Sequence, residues 1–173
     1  MNTIDAILNK KVIDLAKEYQ KQLRYTYEGL VESFGISMKG IYASGYSELF
    51  KTTIKPICDY SKDVLKPNDP NPYIINEDKL EKFSIKLAQD SILQWKAKII
   101  KKIGNIKNIH CENINSTSFY ITGEFNEYYI KIEQQMIVNI SSKGKLFNQF
   151  PARIYVDGKK ISESKYKQLI KTE

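Results

Sequence analysis

Apolar residues along the first thirty positions fall at Ile4, Leu8, Val12, Leu15, Tyr19, Leu23, Tyr27 and Leu30. Steps of three and four keep them on one stripe of a long helix. Asn2 or Thr3 can cap its start, Asp5 suits the positive end of the dipole, and the pattern stops near Ser33 to Gly35. In "FGISMKGIYASGYSELF" the glycines Gly35, Gly40 and Gly45 interrupt any period, which predicts a connector. A phosphate loop would group its glycines tightly ahead of Lys-Ser/Thr, whereas here Lys39 precedes Gly40. Leu49, Phe50, Ile54, Ile57 and Val64 predict a second helix over Ser47–Leu65, kinked or split at Pro56.

"KPNDPNPY", residues 66–73, holds three prolines and two asparagines and reads as a linker. A third helix follows. Asn76 is placed to cap it, Glu77 and Asp78 sit in its first turn, and Leu80, Phe83, Leu87, Ile92, Trp95, Ile99 and Ile103 keep helical spacing. Lys101 and Lys102 occupy its last turn and Gly104 suits the left-handed residue that ends many helices.

From residue 106 the period changes to alternation, predicting strands near 106–114, 117–124, 127–140 and 152–161. Phe119 and Ile121 alternate with Tyr120 and Thr122; Ile130 and Ile132 alternate with Tyr129, Lys131 and Glu133. One apolar and one polar face marks an antiparallel sheet covered on one side. Asp157-Gly158 predicts a two-residue hairpin that pairs Tyr155 with Lys160 and Ile154 with Ile161. Ser162 is placed to cap a short final helix bearing Tyr166, Leu169 and Ile170. The expected fold is α+β: N-terminal helices, then a long helix packed on a mainly antiparallel sheet with a short C-terminal helix. The expected division is a helical region over 1–66, a linker over 67–75 and an α+β domain over 76–173.

The 173 residues are 42% hydrophobic, enough to form a core, and no apolar run reaches the length of a membrane span. The opening "MNTIDAILNKKVID" mixes acid and lysine into its apolar pattern, unlike a signal peptide. The expectation is therefore a cytoplasmic protein without membrane association. Two cysteines, Cys58 and Cys111, are too few for a disulfide framework. With His110 as the one histidine, a structural zinc site is not expected, and neighbouring His110 and Cys111 would point to opposite faces of a strand. No metal, no cofactor and no catalytic residue is assigned. The remaining hydrolytic option is a metal-dependent nuclease built on Glu124, Glu127 and Glu133 near Lys131, but no strong acid–lysine motif is present.

The net charge is +7, and residues 66–173 carry eighteen Lys/Arg against twelve Asp/Glu, compared with nine against eight in residues 1–65. A basic excess favours anionic partners. Because 25 of the 27 basic residues are lysine and Ile, Asn and Tyr are abundant, an AT-rich coding bias accounts for part of it. The more specific signal is the outward sheet face, where Tyr120, Tyr129, Lys131, Arg153, Tyr155 and Lys160 interleave rings with cations, as single-stranded nucleic-acid platforms do. Lys98, Lys101 and Lys102 form a second basic patch at the end of the third helix, where the helix dipole also favours lysine. The functional expectation is non-enzymatic binding of nucleic acid through the sheet face. The alternative is a protein-interaction module, an inhibitor of a host factor or a small virion component, that forms oligomers through the N-terminal helix.

"SKGKLFNQFPARIYVDGKKIS", within residues 132–169, together with the helix "EKFSIKLAQDSILQWKAKI", resembles the C-terminal part of small bacteriophage-encoded proteins of no established function. The resemblance covers roughly residues 80–170. It implies a phage origin, hence the cytoplasm of the host cell or the virion as location, and carries over no catalytic residue.

Overall fold

The computed structural model describes residues 3–34, 41, 44–60, 73–140 and 146–171. In chain order it has α1 (Thr3–Phe34), the short α2 (Ser47–Leu49), β1 (Cys58–Tyr60), β2 (Tyr73–Ile75), α3 (Glu77–Ile103), β3 (Lys107–Asn115), β4 (Ser118–Phe125) and β5 (Tyr128–Gln135). There follow β6 (Ile137–Ile140), β7 (Leu146–Gln149), β8 (Ala152–Val156), β9 (Lys159–Ile161) and α4 (Glu163–Lys171). The fold is α+β. No helix among the described residues is long and apolar enough to cross a membrane.

Two compact units are interleaved along the chain: residues 1–15, 89–137 and 148–173 form the first, and residues 16–88 and 138–147 the second. Both therefore draw on the sequence either side of the 67–75 segment expected as a linker, of which 67–72 lie outside the described residues.

The first unit is built on a five-stranded antiparallel sheet in the order β3-β4-β5-β8-β9. Alternation decides its faces. Phe119, Ile121, Phe125, Ile130, Ile132 and Ile154 are buried on one side. Ile92, Trp95, Ile99 and Ile103 of α3 are buried as well, as are Ile4, Leu8 and Leu15 of α1. The β8–β9 hairpin has the expected register, Ile154 opposite Ile161 and Tyr155 opposite Lys160. Asp157 and Gly158 both take positive φ, 49° and 84°, as a type I′ turn requires. Ser162 caps α4 by accepting the Lys165 N–H at 3.2 Å.

Lys11 breaks the apolar stripe of α1 and is 1% exposed. Its ammonium donates to the Asn113 side chain and to the carbonyls of Asn115 and Ser118, tying α1 to the β3–β4 hairpin. Burial lowers its pKa, with Asp14 opposing. A buried lysine is tolerable only with such partners, because an unpaired buried charge is strongly unfavourable.

The second unit centres on Leu23, Leu30, Leu49, Phe50, Ile54, Ile57 and Leu80, with Tyr27, Tyr73 and Phe83 packed against them. Asn76 caps α3, its Oδ1 accepting the N–H groups of Asp78 and Lys79 at 3.0 and 3.1 Å. The expected helix over Ser47–Leu65 does not persist. It passes from α2 into a π-helical turn, Phe50–Ile54, and a 3₁₀ turn, Lys55–Ile57, then becomes strand β1. Pro56 has no N–H for the Thr52 carbonyl four residues back, so the regular ladder cannot continue through it. β1 pairs antiparallel with β2, Cys58 opposite Ile75. The strand expected over 127–140 is likewise two, β5 and β6, separated at buried Met136. The Met136 N–H donates to the Thr117 carbonyl at 2.8 Å, one step past the Ser118–Gln135 pair that ends the β4–β5 register, and the chain then turns to pair β6 with β7.

Candidate functional site

Register places the expected sheet-face residues together. The cross-strand pairs His110–Thr122, Thr122–Lys131, Lys131–Tyr155 and Tyr155–Lys160 make one continuous row across all five strands. It contains no carboxylate. The next row runs Glu112–Tyr120–Glu133–Arg153, and beyond the other side Glu124 faces Tyr129. Tyr120, Tyr129, Lys131, Arg153, Tyr155 and Lys160 therefore all share the outward face, in adjacent rows.

The rings and cations also touch. The Lys131 ammonium lies 4.0 Å from the centroid of the Tyr120 ring, its diagonal neighbour, within cation–π range. Arg153 and Lys160 are exposed, Lys131 and Tyr155 are half-buried, and Tyr129 is 51% exposed. Asp157 fixes the end of the Tyr129 strand, its Oδ1 accepting the Tyr129 N–H at 2.9 Å. Sequence alternation located this set but understated its acids: Glu112, Glu124 and Glu133 occupy the same face as Lys131, Arg153 and Lys160. Only the register separates them into flanking rows.

Glu124, Glu127 and Glu133, weighed as a metal-binding set, are spread apart. Glu124 accepts a hydrogen bond from Asn108 at 3.2 Å, Glu127 lies in the β4–β5 turn, and Glu133 stands between Tyr120 and Arg153. Exposed His110 lies in the row of Thr122, while Cys111 opposes Ile121 on the inward face.

Lys98, Lys101 and Lys102 belong to a different place. The Lys102 ammonium donates to Oε1 of Gln134 at 3.3 Å, and Gln134 shares the inward face with Ile130 and Ile132. The helix lysines and the outward row thus lie on opposite sides of the sheet. Together with Lys167 and Lys171 of α4 they line a cleft of about 470 Å³, joined by a single acid, Glu163. Phe150, Tyr166 and Ile170 supply its apolar wall. The Tyr166 hydroxyl donates to the Lys102 carbonyl at 2.7 Å, and the Phe150 ring stacks on Trp95 with centroids 5.1 Å apart. Gln134, fully buried, donates from Nε2 to the carbonyls of Phe150 and Pro151 at 3.1 and 3.0 Å. Burial lowers the Lys102 pKa and raises that of Tyr166. The contribution of α4 was not readable from sequence. Its Lys167 and Lys171 spacing shows only that two lysines share a helix face, not what that face meets.

No protein-family model matches the chain, and no curated protein or solved structure is significantly similar to it.

Proposed function

We propose that this chain is a phage accessory protein that binds single-stranded nucleic acid through the outward face of its five-stranded sheet. The observation that carries the reading is the acid-free row from His110 to Lys160, which sets Lys131 and Lys160 either side of Tyr155. Strands about 4.8 Å apart make such a row roughly 19 Å long, and a sheet of this kind stacks two or three bases. Tyr155 and Tyr120 offer π-faces, Lys131 and Lys160 meet phosphates, and the carboxylates of the flanking rows confine the strand to the middle. The proposal is for binding without a catalytic step.

Fluorescence anisotropy with 5′-hydroxyl oligonucleotides at about 50 mM salt tests this, because phosphate contacts weaken steeply as salt rises. Binding should fall about tenfold in Tyr155→Ala, the scale of one lost stacking contact. It should also weaken in Lys131→Gln. Absence of binding at low salt, or affinity unchanged in both variants, refutes the reading.

A specific observation favours a second reading, pairing with another protein or a second copy, but through α3 rather than the N-terminal helix of the sequence expectation. Leu93 and Ile100, one heptad apart on α3, are 67% and 52% exposed, with exposed Ala97 between them. Such spacing makes an apolar stripe. Light scattering should then show a mass above the monomer that Leu93→Glu returns to the monomer; a strict monomer at high concentration rules this pairing with itself out.

A further inference from the structure

The lysine cleft carries an inference of its own. Lys101, Lys102 and Lys171 lie in the last turns of their helices, where the dipole alone favours a cation. Lys98 and Lys167 lie ahead of those turns and still face the same space. Five ammonium groups against one carboxylate repel one another unless an anion joins them. The group at the centre is also held in place. Gln134, buried and fixed by two carbonyls, accepts from the Lys102 ammonium, which stands 5.8 Å from the Phe150 ring centroid. Burial, with Lys167 and Lys98 adding to it and Glu163 opposing, depresses the Lys102 pKa, and a bound anion would reverse that effect.

The cleft is too large and too apolar for an inorganic ion alone. Its volume falls within the roughly 300–1,000 Å³ of small-molecule sites, and Phe150 and Ile170 wall one side of it. The ligand must join a compact multiple negative charge to a flat, weakly polar body.

We propose that this cleft is a nucleotide site, which takes a phosphate among Lys98, Lys102 and Lys167 and the base against Phe150 and Ile170. Lysine suits the phosphate as a point charge, and an aromatic wall suits any base through its π-face. Two sources share this chemistry, a free nucleotide and the phosphorylated end of a strand. The inference does not rest on the sheet-face reading, because the two sets of residues lie on opposite sides of the sheet.

Trp95 is the one tryptophan in the chain and stacks on Phe150, so its fluorescence reports on the cleft. The intact protein is titrated with adenosine monophosphate, adenosine, inorganic phosphate, and one short oligonucleotide with and without a 5′-phosphate. Adenosine monophosphate or the 5′-phosphorylated strand should change the signal saturably and bind at least about tenfold tighter than adenosine, phosphate or the 5′-hydroxyl strand, the scale of one charge-assisted contact. The tighter of the two names the source. Lys98→Gln/Lys167→Gln, at two exposed positions, should weaken that binding about tenfold or more with the circular dichroism unchanged. Tyr155→Ala should leave it unaltered, which separates this site from the sheet face. Absence of a response to either nucleotide ligand overturns the proposal. So does inorganic phosphate binding as tightly as adenosine monophosphate, or a folded double variant with unchanged affinity.

Discussion

Replacing Gly123 by alanine tests whether the sheet depends on one close approach of its backbones. The Lys107–Glu124 and His110–Thr122 pairs differ by a register shift, and Asn108 within it takes φ 55°, so β3 bulges against β4. That bulge presses Ile106 and Lys107 onto Gly123. A Cβ there would lie 2.3 Å from Cγ2 of Ile106 and 2.9 Å from the Lys107 carbonyl oxygen. Comfortable carbon contacts are about 3.5–4.0 Å, so Ile106 must retreat by more than an ångström and the backbone must follow. Overpacking of this kind costs about 1–3 kcal/mol. With a stiff β-branched side chain and a backbone oxygen both in the way, the upper end applies. For a chain of this size about 3 kcal/mol lowers Tm by roughly 6–12 °C.

Gly29 supplies the control. It lies in α1 with nothing within 4 Å of an added Cβ, so the same substitution there should raise stability by about 0.5–1 kcal/mol through helix propensity and chain entropy. Thermal unfolding followed by circular dichroism compares the two. A double variant with Ile106→Ala should lose less than the sum of its single variants, because the methyl clash is gone while the carbonyl contact remains. An unchanged or raised Tm in Gly123→Ala would refute the close approach, whatever Gly29→Ala does.

Asn76→Ala should lower stability by about 1 kcal/mol in urea denaturation by uncapping α3, with Asn76→Ser recovering most of it; equal losses in the two variants would argue against the cap. Burial pushes the Cys58 thiol to about 11, so at pH 8 it holds about a hundredfold less thiolate than an ordinary cysteine. Mass spectrometry after a short iodoacetamide pulse should therefore find half-buried Cys111 modified before Cys58, and the reverse order would contradict this burial. Tyr166 has its native pKa raised by burial above the ordinary 10.0, so the native state keeps a proton that the unfolded state sheds. Its contribution is fully present below pH 10 and is lost as pH rises above it. Urea midpoints should thus fall more steeply on going from about pH 9 to about pH 11 in the wild type than in Tyr166→Phe, and parallel falls would refute the assignment.

What the sequence made legible follows from what local rules encode. Helical spacing sufficed for α1 and α3, because a stripe at three and four residues has one structural meaning. Asn76, Ser162 and Asp157-Gly158 act on backbone groups within three residues of themselves, so their roles needed no tertiary knowledge. The β8–β9 register followed from the turn, and with it the shared face of Tyr155 and Lys160. Partners distant in the chain were not legible. Pro56 announced a break in the second helix but not the strand beyond it, since β1 exists through pairing with β2. Helical spacing sets Lys11, three residues after Leu8 and four before Leu15, on the apolar stripe and exposed Lys10 off it, but does not show what receives its ammonium; its burial depends on acceptors at Asn113, Asn115 and Ser118, about a hundred residues on.

The candidate sites divide on the same line, and this bears on how each should be tested. The sheet face arises from alternation plus hairpin register, so its membership was readable, while its acid-free row emerged only once β4, β5 and β8 were aligned. Shifting β3 or β5 by two residues would bring Glu112 or Glu133 into that row beside the lysines. The cleft has the opposite character. Lys98, Lys101 and Lys102 were visible as a basic helix end, but a helix end is a convex surface and binds little by itself. Concavity comes from α4, which the bond from the Tyr166 hydroxyl to the Lys102 carbonyl seats against it. The cleft should therefore lose its ligand whenever α4 is displaced, even with every lysine intact, whereas the sheet row should survive that change. Tyr166→Phe, which removes this one bond and keeps the ring, perturbs the cleft alone.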